Sequence, residues 1–287
     1  MDRQKLTKRL LSLSIPLLLS GCSYYQPHDG VPHYYRDVSK IPNAVPRYLP
    51  KSPYGNRSVY HVDGRTYHVL PTANGYNENG IASWYGSLFD GRNTSTHERY
   101  DPYGMTAAST VLPIPCFVRV TNLENGRWII VKVNDRGPFV ANRIMDLSYA
   151  GAIKLGYIGH GTALVNVRAI DTYPGYVYHA AYNPYVSTNP YVSYHPVRTY
   201  DRPVRITHQP ELYLQLGVFR SRYNAERLQQ MAARVSDKPT MIRAIRSDDG
   251  GILYRVELGP LRDVSESDYI ESLFERERLG KPITIIR

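Results

Sequence analysis

CFVRVTNLENGRWIIVKVNDRGPFVANRIMDLS, residues Cys116 to Ser148, sets the reading of the whole chain. Two apolar runs, FVRVTNL and RWIIVKV, flank the turn Glu124-Asn125-Gly126, as two strands of a sheet would. Trp128 to Val133 carries apolar residues on both faces, which suits a strand walled in on both sides. Asp135 stands at its end, and Gly137 and Pro138 shape the turn that follows. Eleven residues further on, Asp146 precedes Ser148, a natural cap for a short helix, Tyr149 to Leu155, stopped at Gly156. The carboxyl of Asp135 is therefore either turn punctuation or a reactive group held at the mouth of a rigid element.

Working outward, VYHVDGRTYHVL, Val59 to Leu70, alternates around Asp63-Gly64, a strong hairpin signal. IASWYG supplies another short strand, and TALVNVRAI a last one. Many short strands with one short helix predict a small β-barrel domain over 59–172. Beyond it, 211–287 reads strand LYLQLGVF, a helix capped by Asn224, strands MIRAIRS and GILYRVELGPL around Asp248 to Gly251, a helix from Glu266 to Leu279, and strand PITIIR. That β-α-β-β-α-β order is the ferredoxin-like pattern. The fold class expected is mainly β plus α+β. Residues 22–58 and 173–210 are rich in Pro, Tyr and His without helical or strand period. Proline removes donors and fixes φ, so both stretches read as disordered tethers.

The chain begins MDRQKLTKRLLSLSIPLLLSGCS, with Arg3, Lys5, Lys8 and Arg9 ahead of an apolar run too short to span a bilayer. Leu19-Ser20-Gly21 before Cys22 resembles the bacterial lipoprotein signal. That resemblance implies cleavage of residues 1–21 and acylation of Cys22, anchoring the chain to a lipid bilayer. Ser23 after the cysteine implies sorting to the outer membrane rather than the inner. With Cys22 lipidated, Cys116 has no partner for an intramolecular disulfide. The formal charge of +10 falls to about +7 once residues 1–21 are removed. A basic exported chain favours acidic envelope partners. No nucleic-acid motif accompanies the charge, so nucleic acid is set aside as a partner. Without HExxH or a Cys-His cluster no metal is expected, and the residues imply no cofactor.

GIASWYGSLFDGRNTSTHERYD and MTAASTVLPIPCFVRVTNLENGRWIIVKVNDRGPFVANRIMDLS resemble the six-stranded double-psi β-barrel of the rare lipoprotein A family. LQLGVF, NAERL and YRVELGPL resemble the SPOR module, a peptidoglycan-binding domain, through Gln215, Gly217, Phe219, Arg255, Gly259 and Pro260. The resemblance implies a septal lytic transglycosylase that cuts between N-acetylmuramic acid and N-acetylglucosamine, leaving 1,6-anhydro ends. It implies as partner glycan strands stripped of stem peptides, with association with the division machinery or a cell-wall amidase. Asp135 is then the catalytic carboxyl and Glu98 the second acidic position. Trp84, Tyr85, Tyr100, Arg136 and Phe139 are substrate-binding candidates, each with core or rim packing as the alternative. Gln215, Gly217, Phe219 and Arg255 would contact glycan on the SPOR module.

A glycosidase ordinarily needs two carboxyl groups, one to activate water or attack the sugar. The resemblance implies instead that the muramyl C6 hydroxyl attacks within its own residue, so that one carboxyl acting as acid and then base suffices. Three departures from the family pattern surround this site. Ser109 stands where the family has His, His97 where it has Gly, and Asp90 where it has His. They support an alternative, a glycan-binding lipoprotein with a weakened or inactive cleft. His97 reaching back to replace the lost imidazole is a further expectation to be checked.

Overall fold

A computed structural model describes residues 30–176 and 209–287. The segment expected to be an export signal, Cys22 and most of the second Tyr/Pro-rich stretch lie outside the described residues.

The lead-in hairpin pairs β1 (Val59–Val62) with β2 (Arg65–His68). Asp63 and Gly64 both take positive φ, as a two-residue turn matched to strand twist requires. Next come β3 (Asn77–Tyr85), β4 (Thr106–Ala108), β5 (Cys116–Asn122), β6 (Trp128–Asp135), β7 (Arg143–Ser148) and β8 (Ala163–Ile170). These six close into a barrel in the order β3-β7-β4-β6-β5-β8. β3 runs parallel to β7 and β4 to β6, while the remaining pairs are antiparallel. Val118, Val120, Val131, Val133, Leu147 and Val165 fill the interior and are fully buried. Helix α1 (Tyr149–Leu155) begins where Ser148 accepts a hydrogen bond from the Gly151 amide and ends at the left-handed Gly156, as its sequence predicts. The strands β4 and β7 escape a sequence reading because each is short and its neighbours are distant in the chain.

Residues 30–58 correct one expectation. They form an ordered strap on the barrel, not a free tether. Val38 inserts into the core, with Ile41 and Ala44 packed beside it. The Ala44 amide donates to the Ile130 carbonyl and the Ser52 amide to the Ile114 carbonyl. Tyr103 donates its hydroxyl to the Tyr34 carbonyl at 2.5 Å, and Arg36 bridges to Asp101. Proline-rich sequence lacks periodicity, yet a proline-rich chain still offers carbonyls and apolar side chains to a preformed wall.

The C-terminal region contains β9 (Leu212–Phe219), α2 (Arg222–Val235), β10 (Thr240–Arg246), β11 (Ile252–Leu261), α3 (Val264–Arg276) and β12 (Ile283–Ile286). The sheet order is β10-β11-β9-β12, all antiparallel, matching the ferredoxin-like expectation. Both helices start earlier than the sequence suggests, because Ser221 rather than Asn224 caps α2 and Asp263 caps α3. The two units share an apolar seam. Ile81 and Leu164 of the barrel pack with Leu212, Leu261, Val264 and Phe274. Burying Ile81 alone contributes roughly 2 kcal/mol. Arg143 on β7 forms an ion pair with Asp268 on α3, and Asn142 donates to the Pro282 carbonyl at 3.3 Å.

Candidate active site

Ile129, Val131 and Val133 alternate into the barrel core. Continued alternation would point Asp135 inward as well. Instead the register between β4 and β6 slips: Ala107 pairs with Val133, but Ala108 pairs with Asp135. The extra residue, Asn134, returns Asp135 to the outer face, the re-aiming that a bulge performs beside many active sites. Ala108 belongs to that outer face, where it clusters with the buried rings of Tyr85 and Tyr100. On its other side Ala108 pairs with Asp146 of β7. Two carboxyl groups thus flank one alanine on the outside of the barrel wall.

Asp135 is half-buried and held on one side only. Its Oδ1 accepts from the Ser95 amide at 2.8 Å, the Ser95 hydroxyl at 2.7 Å and the Arg136 amide at 2.8 Å. Oδ2 receives no hydrogen bond among the described residues. The carboxyl plane is therefore fixed through one oxygen only. Gly137 turns the chain directly after it at φ 138°, and a Cβ there would stand 3.7 Å from that of Ala108 and 3.8 Å from Asp146 Oδ2. Asp146 accepts the Ser83 hydroxyl at 2.5 Å, so Ser83 is one partner it has, while Arg143 reaches Asp268 instead.

The Arg136 guanidinium is committed to its surroundings. Its Nε donates to the Gly55 carbonyl at 2.7 Å, and Nη1 to the Ser109 and Leu112 carbonyls at 2.8 and 2.6 Å. Nη2 reaches Asn56 Oδ1 at 3.2 Å. Burial pushes its pKa down, and nearby Tyr60, Cys116 and Asp135 offset part of that shift. The guanidinium ties the strap and the 109–112 loop to the Asp135 corner.

Glu98 lies in the same loop as Ser95 but on different partners. Its Oε2 accepts from Lys132 Nζ at 2.5 Å and Asn134 Nδ2 at 2.7 Å. Desolvation raises its pKa, yet the hydrogen bonds from Lys132 and Asn134 prevail, and the net shift is downward. Glu98 is thus kept ionised, a fixed negative charge rather than a proton donor.

The remaining candidates divide by strand alternation. Tyr85 and Tyr100 lie under the site, with ring centroids 4.2 Å apart, and Tyr100 donates to the Tyr85 carbonyl at 2.6 Å. Burial pushes the Tyr85 hydroxyl well up, and the charges of Asp135 and Asp146 add to the shift. Phe139 sits half-buried at the rim, edge-on to Tyr67. Trp84 takes the opposite face of β3 and packs against the core and Tyr149, so it does not join the site. Ser109 is fully buried, and its hydroxyl accepts from the Val111 and Leu112 amides. His97 does not reach back to Asp135: it is exposed and stacks on Tyr54, centroids 4.0 Å apart. Among the described residues no group of three or more His, Cys, Asp or Glu converges as a metal site would.

Sequence reasoning overlooked Ser95, Asn134 and Lys132, the residues that hold the two carboxylates. The only signal for Ser95 was its place three residues before Glu98 in the loop. On the C-terminal sheet, the predicted glycan contacts also separate. Gln215 pairs with Glu257 on the face away from the helices. Gly217 pairs with Val256 after a register shift, and Gly217 and Phe219 pack towards Leu228 of α2. Arg255 is two residues before Glu257 and shares its face.

The barrel matches the family model described as lytic transglycolase over residues 77–167. The chain is 37% identical to the endolytic peptidoglycan transglycosylase RlpA of Pseudomonas aeruginosa (strain PAO1) over 298 residues, covering 92% of this chain and 86% of that protein. The protein of the same name from Campylobacter jejuni is 33% identical, with 93% and 94% covered, and that of Vibrio cholerae 46% identical, with 56% and 62% covered. Among solved structures, the SPOR domain of Pseudomonas aeruginosa RlpA is 31% identical, with 26% of this chain and 96% of that one covered at a TM-score of 0.25. With a barrel wall carrying Asp135 and nearly full-length similarity to these relatives, the chain belongs to the RlpA family of lytic transglycosylases.

Proposed function

We propose that this protein is an endolytic transglycosylase acting on peptide-free glycan at the division septum, tethered to the outer membrane by an acylated Cys22. In this reading residues 1–21 are removed, the barrel unit cuts, and residues 211–287 bind the same strands. Asp135 delivers the proton on Oδ2 to the glycosidic oxygen as the bond from muramyl C1 breaks. The C6 hydroxyl of that muramic acid then closes on C1 and returns its proton to Asp135. No water is consumed. Glu98, kept anionic by Lys132 and Asn134, places negative charge near the ring as positive charge develops there. Phe139 at the rim is the aromatic candidate for sugar contact.

The observation that carries this reading is the one-sided grip on Asp135, three donors on Oδ1 and none on Oδ2. Ser109 favours a second reading, glycan binding without turnover, since its hydroxyl is occupied by the Val111 and Leu112 amides and supplies nothing to the cleft. Incubating residues 23–287 with peptide-free glycan and measuring anhydro-muramic ends by mass spectrometry separates them. The enzyme reading expects product from the wild type and none from Asp135→Asn. Equal product from both removes Asp135 from its role, and product from neither overturns the enzyme reading and leaves the binding one.

A further inference from the structure

Strand β6 ends at Asp135 and begins at Trp128. At the Trp128 end an open cavity of about 460 Å³ lies between the strap, the turn from β5 into β6, and α1. Its walls include Asn43 of the strap, Arg127 and Trp128, and Lys154 of α1. At the rise of an extended strand, the cavity stands roughly 23 Å from the candidate catalytic carboxyl. Between them Ile130 is buried in a cluster that takes in Ala44 and Leu49 of the strap, which separates the cavity from the cleft.

The two cations of this cavity have no acid partner: among the described residues neither Arg127 nor Lys154 forms an ion pair. Asp37, an acid of the adjoining strap, is taken by Lys40 and Ser39. Lys154 Nζ donates to the Ile41 carbonyl at 2.6 Å, which fixes the ammonium while its other donors stay uncommitted. Arg127 is set by its turn. Asn125 Oδ1 accepts from the Arg127 amide at 2.9 Å, while Asn125 Nδ2 donates to the Leu155 carbonyl at 2.9 Å. The guanidinium lies over Gly156, where a Cβ would come within 2.6 Å of Nη1, so glycine at that position keeps its place open. Asn43 Oδ1 is buried and receives no hydrogen bond, an exception among buried acceptors that asks for a donor. Trp128 is half-buried beside these groups.

We propose that this cavity is a second saccharide site on the barrel, and that its ligand is an N-acylated sugar acid, the muramyl residue of a peptide-free strand. The proposal rests on the glycan reading above and adds to it a contact remote from the cut bond. Each group answers one feature of such a sugar. Arg127 and Lys154 take the carboxylate, the guanidinium through paired donors and the ammonium as a point charge. Asn43 Oδ1 accepts the amide N–H of the acyl group, and the Trp128 ring offers an apolar surface to the C–H face of the sugar. An N-acetylglucosamine unit lacks the carboxylate, and a bare anion lacks the other two features. Holding one strand at two places roughly 23 Å apart raises its effective concentration at Asp135, which favours long strands over short ones.

The chain has two tryptophans, Trp84 and Trp128, and Trp84 packs against the barrel core. Their indole N–H signals in nuclear magnetic resonance therefore give a local probe and an internal reference, assigned with Trp128→Phe. The test titrates isotope-labelled residues 23–287 with single sugars. N-acetylmuramic acid should shift the Trp128 signal saturably and leave that of Trp84 in place, and N-acetylglucosamine at the same concentrations should move neither. Arg127→Gln combined with Lys154→Gln should weaken the response at least about tenfold, the scale of one charge-assisted pair. Circular dichroism checks that this variant is folded, and the two sugars on the wild type decide the matter even where it is not. An unmoved Trp128 signal in a chain that still binds peptide-free glycan overturns this inference and leaves the glycan reading standing. Absence of both responses overturns both. An equal shift with inorganic phosphate alone removes the sugar assignment. Equal shifts with the two sugars, or a folded double variant of unchanged affinity, remove the role of the two cations and with it the proposal.

Discussion

Asp135 and Glu257 are both carboxylates set into sheet surfaces, and their partners make them opposite kinds of group. Asp135 is gripped by neutral donors, two backbone amides and a serine hydroxyl, all on one oxygen. Glu257 is enclosed by three guanidinium groups on both oxygens. Neutral donors orient the carboxyl through one oxygen and leave the other without a protein partner among the described residues. Guanidinium partners occupy both oxygens and turn the acid into scaffold. In this chain chemistry is assigned by the neighbours rather than by the residue type, and Glu98 makes the point again, since Lys132 and Asn134 keep it ionised one loop away from Asp135.

The sharpest break of this comparison is Asp135→Asn. It keeps the shape and removes the transferable proton, so anhydro-end formation should fall by roughly 10²- to 10⁴-fold, the range of general acid–base catalysis. Thermal unfolding should change little. Arg136→Ala attacks the frame instead. Three backbone carbonyls, of Gly55, Ser109 and Leu112, lose their charged donor, and urea unfolding should show a loss of about 2–4 kcal/mol. A stability loss near zero would show that the strap and the 109–112 loop hold their places without it.

Ser95→Ala is a finer probe. It removes one of the three donors to Oδ1 and leaves the two amides, so turnover should drop by about tenfold, equivalent to about 1.4 kcal/mol of misplaced carboxyl. Unchanged turnover would mean that the backbone amides alone orient the group. The smallest effect concerns Glu98. Its folded pKa lies below the ordinary 4.5, so its contribution to stability is present above pH 4.5 and is lost as pH falls through the folded value. Because the pair with Lys132 is part-exposed, solvent screening limits this contribution to less than about 1 kcal/mol. Glu98→Gln should flatten the acid limb of a pH–stability curve by that amount and leave stability at pH 7 lower by no more.

Much of the architecture was legible in local sequence. The Asp63-Gly64 turn, the Ser148 cap and the Gly156 stop each act within a few residues, and each appears where the sequence places it. The apolar runs FVRVTNL and RWIIVKV around the Glu124 to Gly126 turn marked β5 and β6 for the same reason. Legibility failed where partners are distant. The strap was hidden because Val38 and Ala44 find their partners on walls built from residues some hundred positions later. Helix starts were misjudged by three residues at α2 and two at α3, where Ser221 and Asp263 competed with an equally plausible Asn224 and Glu266 as first-turn residues.

The candidate site divides in the same way. That Asp135 is a carboxyl at a strand end followed by a tight turn is written in the chain. That it faces outward is not, since the strand's own alternation sends odd-numbered residues into the core and only the slipped pairing of β4 with β6 reverses it. The grip of Ser95, the clamp of Arg136 and the enclosure of Glu257 likewise come from contacts 40, 81 and 30 residues apart. Turns, caps and alternation are decided by neighbours along the backbone, which any reading of the chain can count. The direction of a side chain and the identity of its partner are decided by how strands register across a closed barrel or sheet, and only the assembled tertiary structure sets that.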